Sequence, residues 1–108
     1  MPGSREQTEA LLARYYAAFN AGDHEAMLSC MADDVAHDIN QGERQSGKDA
    51  FRAFLARMDT AYAEWLEDIV LMTSADGSRA AAEFVVHGIY KQADEGLPPA
   101  HGQGYVLP

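Results

Sequence analysis

The chain has 108 residues, 17 acidic against 8 basic, for a formal net charge of -9. Its 47% hydrophobic content excludes a disordered chain, and its acidic balance excludes the basic footprint of a nucleic-acid binder and argues against anionic membrane surfaces. A lone cysteine, Cys30, rules out an internal disulfide; no apolar run reaches the ~20 residues of a membrane span, and "MPGSREQTEA" carries no signal-peptide core, so one cytoplasmic domain over 1–108 is expected.

The first element is a helix through "SREQTEALLARYYAAFNAGD". Ser4 and Gln7 fit a capping box, and Leu11, Leu12, Tyr15 and Phe19 recur at helical spacing with Tyr16 beside them. Asn20-Ala21-Gly22 supplies the stop. Asp23 then caps a shorter helix whose apolar side is Ala26, Met27, Cys30 and Met31, which reads Cys30 as a core thiol. Val35 to Ile39 alternates as a strand: Val35, His37 and Ile39 share one face, Ala36 and Asp38 the other. "NQGERQSG" reads as a polar connection. Ser46 and Asp49 can cap a third helix with a buried stripe of Phe51, Phe54, Leu55, Met58 and Tyr62. From Trp65 the period becomes two, placing Trp65, Ile69 and Leu71 on one face of a strand. Asp76-Gly77 marks a tight hairpin turn, and "RAAAEFVVHGIY" is the returning strand, with Phe84, Val86, Gly88 and Tyr90 on its more apolar face. A long loop with Pro98-Pro99 precedes a last strand at "GYVLP". Helices followed by hairpin-connected strands define an α+β class with helices on one face of an antiparallel sheet.

The opening "ARYYAAFNAGDHEAMLSCMADDV", with "HDINQG", "AAAEFVVHGIY" and "EGLPPAHGQ" further on, resembles the NTF2-like superfamily, and within it the SnoaL-like and ketosteroid isomerase-related proteins. The resemblance implies a cone of three N-terminal helices on a curved, mainly antiparallel sheet around an apolar pocket. It also implies strands beyond "GYVLP", so the chain reads as truncated at its C-terminus, with something else completing the sheet. Dimerisation through the sheet is common in the family, and a homodimer involving Val85 and His87 is expected.

In ketosteroid isomerases an aspartate base works with a tyrosine and a protonated aspartic acid. The resemblance places the tyrosine at Tyr15. Aligned without a gap, Ile39 falls at the base position and Asp38 one residue early, which on a strand reverses the face. His37 and Asp38 are therefore rival bases. Alternation favours His37 inside, because Val35 and Ile39 need burial and a neutral imidazole is cheaper to bury than a carboxylate. The third residue falls at or beyond Pro108, and "GYVLP" holds no aspartate, so a complete steroid-isomerase set is not expected. Phe19, Phe54, Met58, Trp65, Phe84 and Val86 are the expected pocket walls. The function expected is binding of a small apolar or cyclic carbonyl compound. An isomerase or cyclase working by proton abstraction beside the carbonyl would follow, and a non-catalytic binding or dimerisation module is the alternative. No cofactor is expected, and four scattered histidines without ligand spacing give no metal site.

Overall fold

The structure, a computed structural model, describes residues 4–38, 43–94, 97 and 99–108. Helix α1 spans Arg5–Ala21 and begins with the Ser4/Gln7 capping box: Gln7 N–H donates to the Ser4 hydroxyl at 3.2 Å, and Ser4 N–H donates to the Gln7 side chain at 2.8 Å. It ends at Gly22, whose φ of 70° is the left-handed conformation a helix stop demands. Asp23 caps α2 (His24–Leu28) by accepting from Ala26 N–H.

Two short strands follow. β1 (Ala36–Asp38) pairs antiparallel with β2 (Arg44–Ser46), Ala36 facing Ser46 and Asp38 facing Arg44. Part of the expected polar connection is thus a strand, stabilised by pairing rather than by any apolar pattern of its own. Ile39 and residues 40–42 lie outside the described residues. Helix α3 (Lys48–Ala61) starts at Gly47, which makes no side-chain cap bond, so the expected Ser46 cap is replaced by a strand residue and a glycine at φ 92°. Four residues of its stripe are placed as the spacing requires, with Phe51 and Leu55 buried and Phe54 and Met58 half-buried, whereas Tyr62, expected on the same stripe, lies just past the helix in extended conformation.

The main sheet has the order β3 (Tyr62–Thr73), β4 (Ala80–Tyr90), β5 (Gly104–Leu107), all antiparallel. The β3–β4 register slips by one between Glu67 and Val70, where Asp68 adopts φ 55°. This bulge reverses the alternation. Trp65 pairs with His87 on the outer face, whereas Leu71 pairs with Ala82 on the inner one. The sequence expectation of a shared face for Trp65 and Leu71 fails for that reason.

The β3–β4 turn is longer than the two residues expected. Ser74 N–H donates to Arg79 C=O at 2.9 Å, and residues 75–78 form the loop, with Gly77 at φ 75°. Asp76 accepts from Ser78 N–H, the Ser78 hydroxyl and the Ser74 hydroxyl. The Ser78 backbone bond, then these hydroxyls, hold its carboxyl down at about 2. A folded-state pKa below the unfolded one adds stability at higher pH, which is lost as pH falls toward the folded value. The stability difference between the native chain and Asp76→Ala should therefore be constant above about pH 5 and shrink toward pH 2. Urea titrations at stepped pH check this. A difference that grows on acidification would contradict it.

The helices pack through Ala18, Met27, Leu28, Phe51 and Leu55, a buried cluster flanked by Tyr15, Phe19, Ala26, Met31 and Phe54. Cys30 sits half-buried beside it, its thiol donating to Ala26 C=O. Helix α1 is pinned to the sheet at both ends. The Thr8 hydroxyl donates to Gly77 C=O at 2.7 Å, and the Asn20 amide donates to Leu66 C=O at 3.1 Å while accepting from Leu66 N–H at 2.7 Å. Among the described residues, no helix is long and apolar enough to cross a membrane, and no cluster of three potential metal ligands occurs.

Candidate functional site

Because α1 and α3 both lean on the inner face of the sheet, a hollow of about 540 Å³ is left between them. Its walls are aromatic and aliphatic: Tyr15, Tyr16 and Phe19 from α1, Met27 from α2, Phe54, Leu55 and Met58 from α3, and Leu66, Phe84 and Val86 from the sheet. Tyr15 meets Tyr16 edge-on at 5.0 Å, and Tyr16 leans on Phe84 at 5.5 Å. Burial, with smaller contributions from Tyr16 and Cys30, pushes the Tyr15 phenol up to about 12. It therefore stays protonated at neutral pH and presents a hydrogen-bond donor on an apolar wall.

Five of the six expected wall residues line this hollow, and Trp65 does not. It is 42% exposed on the outer face, stacked on His87 at 5.4 Å, with its indole N–H donating to Glu67. Leu66, its neighbour in sequence, takes the inner position at 6% exposure. Adjacent apolar residues on a strand cannot both face in, and here the smaller one does.

Strand β1 turns His37 inward and Asp38 outward. Asp38 is exposed and pairs with Arg44 through bonds of 2.7 and 2.9 Å. The Arg44 guanidinium holds the Asp38 carboxyl below the usual range. His37 packs edge-on against Phe51 at 4.8 Å and Phe54 at 4.7 Å, and its buried Nδ1 has no hydrogen-bond partner among the described residues. Neither residue is among those lining the hollow; His37 stands behind Phe54, which is.

The sequence reading missed a polar row across the inner sheet face. Glu64 on β3 pairs with Gly88 on β4, and Gly88 with Tyr105 on β5. With no side chain on Gly88, the Tyr105 ring lies over it and its hydroxyl donates to the Glu64 carboxylate. A Cβ on residue 88 would fall within the ring. Glu64 lines the hollow. Burial, then the bond to Glu64, drives the Tyr105 phenol far above its usual value. Nearby, the Tyr62 hydroxyl donates to Asp94 at 2.9 Å, and Arg57 grips the same carboxylate at 3.0 Å. Two signals in the sequence pointed to the row: Glu64 shares a strand face with Leu66, and a glycine inside "HGIY" marks a close approach.

Three helices wrapped against a bent antiparallel sheet with a hollow between them constitute the NTF2-like α+β fold. The chain belongs to the SnoaL-like domain family, whose pattern matches residues 12–108. A candidate polyketide cyclase from Pseudomonas putida is 61% identical, with a TM-score of 0.91 over 93% of this chain and 75% of that one. Another from Xanthomonas campestris is 52% identical, with a TM-score of 0.93 over 97% of this chain and 78% of that one. A candidate ketosteroid isomerase from Kribbella flavida shares the fold at 21% identity, with a TM-score of 0.58 over 95% and 78% of the two chains. No protein of curated function matches the chain.

Proposed function

We propose that the hollow binds a small, largely apolar, ring-bearing carbonyl compound and that the protein catalyses proton abstraction beside the carbonyl, as an isomerase or cyclase does. The observation that carries this reading is Tyr15: a partly buried phenol, protonated at neutral pH, on the wall of an aromatic hollow of ligand size. In the reaction the carbon–hydrogen bond breaks, the proton passes to a base, and the electron pair moves to the carbonyl oxygen. Tyr15 donates to that oxygen as its charge grows. His37 is the candidate base, since its Nδ1 has no competing partner among the described residues and its ring packs against Phe54, which lines the hollow. Asp38, exposed and held by Arg44, is the weaker candidate. The relatives described as candidate polyketide cyclases support the same class of chemistry.

A second reading, a non-catalytic binding module, is favoured by one fact: neither His37 nor Asp38 lines the hollow. The exposed Trp65, stacked on a half-buried His87 on the outer sheet face, supports the homodimer as part of either reading.

Proton abstraction can be tested without knowing the natural substrate. With 2-tetralone in deuterated buffer, the protein should speed exchange of the protons beside the carbonyl, and His37→Ala should slow it by about 10²–10⁴-fold. Proton NMR reads both. Binding of 2-tetralone without faster exchange would establish the binding module instead. Unchanged exchange in His37→Ala would remove His37 as the base.

A further inference from the structure

We propose that Glu64 sets the ligand class of the hollow: one end of the ligand carries a hydrogen-bond donor, hydroxyl or ammonium, and carboxylate-bearing analogues are rejected. This rests on the hollow being a ligand site, as proposed above, and adds which ligands it admits.

Glu64 is half-buried on the inner face of β3 and lines the hollow. Tyr105 donates to its Oε2 from across the sheet, which fixes the group against the wall. A phenol satisfies one lone pair of an ionised carboxylate, and the group has about four. Among the described residues Glu64 makes no other hydrogen bond, so its other oxygen can still accept. No arginine, lysine or histidine pairs with Glu64 among the described residues. The charge is therefore held in place without being neutralised.

The clearance at Gly88 makes this arrangement specific. Any other residue at the centre of the row would fill the space in which the Tyr105 ring lies. The ring would then leave Glu64 free to turn toward solvent. One residue from each of three strands thus sets the row: Gly88 leaves the space, Tyr105 fills it, and Glu64, on the wall of the hollow, accepts the Tyr105 hydroxyl.

Among the described residues the other ionisable groups on the wall are Tyr15, Tyr16, His24, Asp59 and Tyr62, and none is a lysine or arginine. Of these, Asp59 carries the same sign as Glu64, the tyrosines are neutral at neutral pH, and His24 alone can become cationic. A ligand carboxylate entering this space would meet Glu64 with no lysine or arginine on the wall to compensate it. An ammonium or hydroxyl would meet a preset acceptor, and the rest of its body would meet Phe19, Phe84 and Val86. A charge-assisted hydrogen bond in such a site discriminates by about 10–100-fold.

Three probes of one shape test this: 2-naphthylmethylamine, 2-naphthalenemethanol and 2-naphthoate. Each is titrated into the whole chain at neutral pH, with the resonances of Phe84 and Val86 reporting binding in the hollow. The amine should bind about 10–100-fold more tightly than the carboxylate, with the alcohol between them. In Glu64→Gln that gap should close. Should that variant fail to fold, Glu64→Ala combined with Tyr105→Phe removes the charge and its donor together and carries the same comparison. Equal binding of amine and carboxylate at Phe84 and Val86 would overturn the proposal while leaving the hollow a ligand site. A preference that survives loss of Glu64 would overturn its assignment to that residue. If no probe shifts Phe84 or Val86, the ligand-site reading itself falls.

Discussion

Met27→Ala should destabilise the fold by about 2–5 kcal/mol, measured from the urea midpoint. Met27 is the largest fully buried side chain among the described residues, at 1% exposure. It sits on the five-residue helix α2, between α1 and α3. A helix that short does not hold itself together, and its order comes from packing. Truncation removes the transfer free energy of the side chain and leaves a gap that Leu28, Phe51 and Leu55 cannot close without moving their helices. Met27 also lines the hollow, so part of the new space opens into it. A loss below about 1 kcal/mol would mean that the helices collapse onto the gap.

Tyr15→Phe should lower tetralone exchange by about 10²–10³-fold, the usual effect of removing a donor aimed at a developing oxyanion. The ring remains, so its edge-on packing against Tyr16 is retained and stability should change little. The pH dependence separates a donor from a base. A phenol raised from 10.0 to about 12 stays protonated through the neutral range. Its donor function is fully present below pH 10 and is lost only as pH rises toward the folded value, so Tyr15 adds no limb to the profile near neutrality. Exchange that survives the substitution within about twofold would place the carbonyl oxygen elsewhere in the hollow.

What the sequence disclosed was what local chemistry decides. The Ser4/Gln7 box, the Gly22 stop and the Asp23 cap act within one turn of chain, and each lies where its spacing puts it. The stripe on α3 reads out for the same reason. Strand β2 did not, because Arg44, Gln45 and Ser46 are all exposed and exist as a strand only through their partners on β1. Trp65 misled because hydrophobicity argued for burial while the parity of its neighbours argued against it. Glu64 was passed over because an acidic residue in a strand suggests solvent. Its partner, Tyr105, lies 41 residues later, and nothing near Glu64 in sequence announces that pairing.

The slip at Asp68 has a wider meaning. An extra residue on one strand bends the ribbon toward the side that the partner strand shortens, so curvature is concentrated at one point of β3. The inner wall opposite that point carries Phe84, and the ends of the strand on either side reach over the helices. One residue thus contributes a bend to the wall at this point. A lineage could deepen or flatten its chamber by gaining or losing a single codon there, without redesigning the helices that close it. That would let one scaffold accommodate molecules of different thickness while its folding signals, all of them elsewhere in the chain, stayed the same.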